Sequence, residues 1–401
     1  MTKPNGDSFP PERPRALFLA PEAPYPVEGG GPLRAASLFD YLAARYQVDV
    51  IVFREPGAPD PASLFPAGRA RVIHVIDLPP HRGSLVARSL RNAGRMLRRS
   101  TPLVDRFSGF GSRVEAFVRD QTYQVALIEH FWCAPYVEQV SSAAKLTVLD
   151  LQNVESVLHA RCAKSERGAM ALAHYGFARA CRALEKTWLP RFDRLLVASE
   201  DDARSVEAIS PGSRIQVYPN AIPAIALPNR AEQDMIAFSG NFSYHPNVTG
   251  LEFFVSKIWP GLRAQWPNLV LRLIGKNPEG VRGIVKADPH IQLTGHVENA
   301  VEELAAAKVV VVPLLAGSGT RLKIVEAWAA GRAVVSTRVG AEGLPARDGE
   351  NILLADEPAQ FADAVSRLLS SPAERARLGQ AGRALFELQF TWERVWETLD
   401  L

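Results

Sequence analysis

Arg321, Lys323 and Glu326 sit within one short stretch, directly after Gly317-Ser318-Gly319-Thr320. The surrounding run, Lys308 to Thr337, reads KVVVVPLLAGSGTRLKIVEAWAAGRAVVST. A glycine turn that ends a strand and opens a helix aims free backbone N–H groups and the positive helix end at whatever lies above it. Bare cations in a first helical turn oppose the helix dipole, so Arg321 and Lys323 there call for an anion to supply the missing negative charge. Glu326, one turn later, can accept from hydroxyls. Together these groups suit a ligand carrying a diphosphate and hydroxyls. From the local pattern alone, a solvated helix start with ordinary surface charges fits equally well.

Two further sets could do chemistry. Gly29, Gly30 and Gly31 lack side chains and allow close backbone approach to a ligand, although the G-x-G-x-x-G fingerprint is not completed. His130 follows the apolar run Val125–Glu129, at the carboxyl edge of a predicted strand. Alternation along a strand points Glu129 and His130 to opposite sides, and His130 is preferred as the group facing a ligand. No Asp-x-Asp, H-E-x-x-H or G-x-x-x-x-G-K-[ST] occurs, so a metal–diphosphate clamp is not expected and the metal-binding set is empty. Charge on a leaving diphosphate must then be met by backbone N–H groups, helix ends and cations.

These residues need elements to hold them. Val309–Leu315 is an apolar run long enough for a strand buried on both faces. Thr320–Ala330 carries Leu322, Val325 and Ala329 at helical spacing and stops at Gly331, and Ala333–Ser336 begins another strand. The same alternation runs along the whole chain. Strands are predicted at Ala16–Ala20, Val48–Phe53, Arg71–Ile76, Val125–Glu129, Leu146–Leu149 and Leu195–Ala198, with a helix at Leu33–Arg45. The second half offers strands Met235–Ser239, Leu269–Ile274 and Ile291–Thr294, and helices Asn247–Trp266 and Ala300–Ala307. Short apolar strands alternating with helices, twice over, predict two doubly wound parallel sheets. Ligands of such sheets sit beyond the carboxyl ends of the strands.

Composition agrees with two domains. The chain has 401 residues, 47% hydrophobic and 22% charged, enough for each half to bury its own core. The proline-punctuated stretch 222–233 reads as the linker. This divides the chain into a polar tail (1–14), an N-terminal α/β domain (15–221), a C-terminal α/β domain (234–388) and a closing segment (389–401). Three cysteines, Cys133, Cys162 and Cys181, form no C-x-x-C pair, which argues against a disulfide framework or a thiolate zinc site and for a reducing compartment. No apolar run reaches the ~18 residues of a membrane span, and the first residues lack the apolar core of a signal peptide. A cytoplasmic location is expected. A formal net charge of +3 argues against a nucleic-acid partner. Between His81 and Arg119, however, Arg82, Arg88, Arg91, Arg95, Arg98, Arg99, Arg106, Arg113 and Arg119 interleave with apolar residues. Such a face can sit peripherally on anionic headgroups; a solvated arginine-rich helix is the alternative.

The Glu326–Thr337 segment resembles the C-terminal signature of retaining GT-B-fold glycosyltransferases of the family-4 type, in which a glutamate, seven residues and a second glutamate precede an Ala-(Met/Trp)-Ala-x-Gly-x-x-Val-Val-x-Thr run. Here that run is Ala327-Trp328-Ala329-Ala330-Gly331-Arg332-Ala333-Val334-Val335-Ser336-Thr337. Glu326 takes the place of the second glutamate, and Ser318 stands where the first is found. Phe238-Ser239-Gly240-Asn241, Leu273-Ile274-Gly275, Leu293-Thr294-Gly295-His296-Val297, Val339–Leu344 and Asp348–Asn351 resemble further family motifs, as do Gly29–Gly31 and Glu129-His130-Phe131-Trp132.

The resemblance implies a fold of two Rossmann-like domains facing a central cleft, with the C-terminal helix crossing back to the N-terminal domain. It implies a metal-independent, retaining hexosyl transfer from a nucleoside diphosphate sugar of UDP or GDP type to a glycan or lipid-linked acceptor, in bacterial surface-polysaccharide or glycolipid assembly, with no separate cofactor. His130 would contact the transferred sugar or orient the acceptor. Gly29, Gly30, Gly31, Gly240, Asn241, Gly275, Val297, Ser318, Gly319, Thr320, Leu322 and Glu326 would line the donor, with Arg321 and Lys323 on its diphosphate. The loop Asn241–Asn247 carries no Arg or Lys, although the family often places both there. Arg321 and Lys323 are expected to take over that task. A nucleotide-sugar epimerase on the same fold and a non-catalytic nucleotide-sugar-binding relative are the alternatives.

Overall fold

The computed structural model describes residues 13–27, 30–80, 95, 100–165, 168–285, 288–316 and 321–401. The backbone divides into two compact units: one ends at Pro219 and takes in Leu399–Leu401, and the other runs from Asn220 to Thr398.

In the first unit, β1 (Arg15–Ala20), β2 (Gln47–Arg54), β3 (Val72–Asp77), β4 (Tyr123–Glu129), β5 (Ala144–Leu151), β6 (Arg194–Val197) and β7 (Ile215–Val217) form one sheet. Its spatial order is 3-2-1-4-5-6-7, and the neighbouring strands run parallel. The order reverses between β1 and β4, which places the switch point beside Ala20 and Glu129. Leu17, Phe18, Leu19, Val125, Ala126, Leu127 and Ile128 are completely buried, as continuous apolar strands covered on both faces must be. Helix α1 (Gly30–Arg45) follows β1, and α2 (Glu155–Ser165) and α3 (Gly168–Trp188) follow β5.

The second unit repeats the plan. Strands β8 (Gln233–Ser239), β9 (Val270–Ile274), β10 (Ile291–Gly295), β11 (Ala307–Val312), β12 (Ala333–Ser336) and β13 (Leu353–Leu354) lie in the order 10-9-8-11-12-13, again parallel. Its switch point falls between β8 and β11, beside Ser239 and Val312. Helix α4 (Leu322–Ala329) connects β11 to β12.

The differences from expectation have local causes. Gly30 and Gly31 lie in the first turn of α1 and not in a loop; Pro32 is tolerated there because first-turn N–H groups have no intrahelical partner. The single helix expected over Asn247–Trp266 is three pieces, His245–Phe253, a π-helical turn at Phe254–Ile258, and Trp259–Gln265. Pro260, which has no N–H, sits at the start of the third piece. The closing helix spans Trp392–Glu397 within the second unit. There Ile222 N donates to Phe390 O at 3.1 Å and Trp392 N to Ile222 O at 3.1 Å, so the expected linker is stitched to the domain end. The chain crosses to the first unit only after this helix, where Tyr41 Oη donates to Leu399 O at 3.0 Å.

Candidate active site

At the switch point of the second sheet, α4 begins with Arg321 as its N-cap residue and no acidic residue in its first turn. The Arg321 side chain is buried, with Nε and a terminal nitrogen each donating to Val339 O at 3.2 Å and the same terminal nitrogen 3.5 Å from Glu342 Oε2. The Val339 carbonyl is held by the turn Val339–Ala341. Gly340 is required there, since a Cβ would lie 2.4 Å from Ser336 Oγ and 2.7 Å from Val312 O.

Lys323 Nζ donates to Asn247 Oδ1 at 2.9 Å and stands 5.7 Å from the Phe238 ring centroid. Burial lowers its ammonium to about 8, with Glu326 opposing and Arg321 assisting. Burial raises Glu326 to about 6 against the pull of Lys323 and of Ser239, whose Oγ lies 3.4 Å from Glu326 Oε2. Asn247, almost fully buried, joins the two sides of the switch point. Its amide nitrogen donates to Asn241 O at 2.8 Å while its oxygen receives Lys323. Asn241 is exposed, and its own Oδ1 accepts from Ser243 N at 2.9 Å and Asn277 Nδ2 at 2.8 Å.

Gly240 and Gly275 end β8 and β9 in direct contact. Gly275 has φ +140°, and a Cβ on it would come 2.0 Å from Gly240 O. Gly275 N donates to Gly295 O at 3.1 Å. Val297 follows β10, at the edge of the sheet, and Leu322 opens α4 half-buried. Gly29, Ser318, Gly319 and Thr320 lie outside the described residues. Arg321, Lys323, Glu326, Gly240, Asn241 and Gly275 therefore gather at one sheet end. Sequence reasoning does not reach the organising roles of Asn247 and Ser239. Their signal in the sequence is position alone: Ser239 ends the first strand of the unit, and Asn247 closes a loop without cations.

The switch point of the first sheet holds a second polar group. His130 has φ +62°, a left-handed backbone that stops β4 and turns it into a 3₁₀ segment at Phe131–Tyr136. This break cancels strand alternation, so Glu129 and His130 line the same small pocket, together with Gly31, Glu22 and Gln152. The expectation that only one of them could face a ligand is corrected on that ground. Glu129 is fully buried; its Oε2 accepts from Gln152 Nε2 at 3.1 Å, and its Oε1 has no hydrogen-bond partner. Burial and the Asp150 charge push Glu129 well above the usual carboxylate range. Arg34 grips Asp150 through Nε at 2.8 and 3.0 Å. Burial and the Arg34 cation bring His130 down to about 3, so its imidazole is neutral at physiological pH. The ring stacks on Trp132 with centroids 4.2 Å apart, and Trp132 Nε1 donates to Glu155 Oε1 at 3.0 Å.

Of the arginine-rich stretch, residues 81–94 and 96–99 lie outside the described residues. Arg95 and Arg106 are buried, paired with Asp105 and Glu55 respectively, whereas Arg113 and Arg119 are exposed. No helix among the described residues is long and apolar enough to cross a membrane.

Comparison with known proteins gives the geometry its context. Residues 233–371 match the family model described as glycosyl transferases group 1. The chain is 23% identical over 361 residues to an uncharacterized 44.6 kDa protein in the cps region of Klebsiella pneumoniae, covering 87% of this chain and 89% of that one. Among solved structures, sucrose-phosphate synthase from Thermosynechococcus elongatus superposes with a TM-score of 0.72 at 19% identity, over 96% of each chain. Anabaena Alr3699/HepE in complex with UDP and glucose superposes with a TM-score of 0.64 at 15% identity, over 96% of this chain and 98% of that one. Residues 233–371 are thus similar to the group 1 glycosyl transferases, and the two parallel sheets are those of the GT-B glycosyltransferase fold.

Proposed function

We propose that the protein is a metal-independent, retaining glycosyltransferase that moves a hexose from a nucleoside diphosphate sugar to a glycan or lipid-linked acceptor in surface-polysaccharide assembly. The observation that carries this reading is the pairing of Lys323 and Glu326 one turn apart at the start of α4. The cation and the free helix N–H groups suit a diphosphate, and the carboxylate suits ribose hydroxyls. Arg321, committed to Val339 O and Glu342, adds charge and fixes the turn. A structural neighbour in complex with UDP supports the donor class, and a relative from a cps region supports the setting.

The acceptor is assigned to the carboxyl edge of the first sheet, where neutral His130 can both donate and accept hydrogen bonds to hydroxyls and Glu129 is buried behind it. Retention is assigned to front-face attack assisted by the departing diphosphate, so a glycosidase-like pair of carboxylates is not needed. Transfer is placed at the cytoplasmic face of a membrane. With Arg95 and Arg106 turned inward, the remaining arginines of 81–119 supply the attraction, and salt should release it.

A thermal-shift panel of UDP-, GDP- and ADP-sugars tests the donor class. Stabilisation by one base family is expected, and no shift with any would remove the reading. Binding of the active nucleotide in excess EDTA, with no gain from added Mg²⁺, is the matching result for metal independence. Conversion of donor without acceptor would favour an epimerase instead.

A further inference from the structure

The α2–α3 hairpin of the first unit carries a buried group of metal-ligating side chains that glycosyl transfer does not use. Glu155 and His159 lie one turn apart on α2, and Cys181 faces them from α3. A Glu155 carboxylate oxygen, a His159 ring nitrogen and Cys181 Sγ all lie within 4.8 Å of one another. Glu155 and Cys181 are almost fully buried. His174, also on α3, brings its Nδ1 to 3.0 Å from His159 Nδ1. Glu185, one turn beyond Cys181, is 1% exposed. One of its oxygens accepts from Ser156 N at 2.9 Å, and the other, Oε2, has no hydrogen-bond partner.

Two carboxyls, a thiol and an imidazole are therefore packed together inside the protein. Burial raises Glu155 to about 7 and pushes Glu185 and the Cys181 thiol up, with Arg182 partly relieving Glu185. It brings His159 down to about 4, with His174 assisting. Each group is driven toward its uncharged form, as expected of an acid-rich cluster whose burial is offset by Arg182 only in part. A divalent cation would favour the ionised carboxyls and thiolate and would keep His159 neutral, the form that ligates.

We propose that Glu155, His159 and Cys181 form a three-ligand Zn²⁺ site whose fourth position is left to water, with His174 as the outer partner that orients His159. One thiolate, one imidazole and one carboxylate suit a borderline-soft ion with tetrahedral preference. Zinc–ligand bonds of about 2.0–2.3 Å put ligand atoms roughly 3.4–3.8 Å apart, so side-chain adjustment on two fixed helices closes the site. The Nδ1–Nδ1 contact requires one ring to donate; donation by His159 leaves its Nε2 lone pair for the metal. Binding releases the Cys181 thiol proton, since the thiolate is the ligand. Cysteine spacing could not reveal this site, because it takes one thiol and draws its other ligands from a facing helix. The ion would also fix Glu155, which holds Trp132 and, through the stacked rings, His130.

The test uses the untagged full-length chain. After exhaustive dialysis, elemental analysis should find stoichiometric zinc. Cobalt substitution should give a thiolate-to-cobalt charge-transfer band that persists in Cys162→Ser and disappears in Cys181→Ser. His159→Ala should lose the metal, and His174→Ala should weaken it by roughly 10- to 100-fold, the usual effect of removing an outer partner. UDP affinity should stay unchanged throughout. Wild-type protein that retains no zinc and gives no cobalt band overturns the site without relying on any variant. Equal zinc in wild type, Cys181→Ser and His159→Ala overturns it as well.

Discussion

Burial brings Lys323 down to about 8 and Glu326 up to about 6, and those two values give the donor site a pH signature. A diphosphate favours the ammonium form of Lys323, so affinity is retained below its free-state value of about 8 and declines as pH rises through it. A ribose hydroxyl favours the carboxylate of Glu326, so affinity is retained above about 6 and declines as pH falls through it. Calorimetry with a nucleotide sugar should therefore give strongest binding between these values. Lys323→Ala should remove the upper limb and Glu326→Gln the lower one. Each of the two variants should lose about 1.5–3 kcal/mol of nucleotide affinity, the range for a hydrogen bond to a charged group. Full affinity in both would take these residues out of the site. Arg321→Ala should act differently, removing the guanidinium that holds the Val339 carbonyl and faces Glu342. It should lower thermal stability along with affinity.

At the scale of elements, the strands are legible because burial on both faces forces continuous apolar runs, and β12 occupies Ala333–Ser336 as its sequence predicts. Edge strands β7 and β13 escape that reading; Ile215–Val217 and Leu353–Leu354 are too short to stand out as runs. Backbone features that depend on tertiary contact are also invisible in the sequence. The left-handed His130 is one, and it changes which side chains share a pocket. The contact between Gly240 and Gly275 is another, and it yields a prediction. Gly275→Ala places a methyl 2.0 Å from Gly240 O on a residue with φ +140°. It should destabilise the second unit by at least about 1–3 kcal/mol, the range for overpacking, and weaken nucleotide binding with it. Gly283→Ala, where a Cβ meets nothing within 4 Å, should be neutral or slightly stabilising in the same urea titration. Equal stability of the two variants would mean that β8 and β9 do not meet as described.

For the whole molecule, the repeated strand–helix alternation carries the division into two sheets, whereas the way the second unit closes is not readable from composition. The prolines around Ile222 suggest a free linker. Its backbone instead pairs with Phe390 and Trp392, and Trp392 Nε1 donates to Ala221 O at 3.1 Å. The beginning and end of the second unit are therefore hydrogen-bonded side by side, and its sheet and core are its own. Those features predict that residues 220–398, expressed alone, fold cooperatively and bind the same nucleotide as the full chain, because Lys323, Glu326, Asn247 and Ser239 all come from this unit. Urea unfolding monitored by tryptophan fluorescence, followed by nucleotide titration, checks both parts. A fragment that folds yet binds no nucleotide, while the full chain does, would show that the donor site needs groups from the first unit. A fragment that does not fold would mean that closure at Ile222 and Trp392 is too weak to hold the unit by itself.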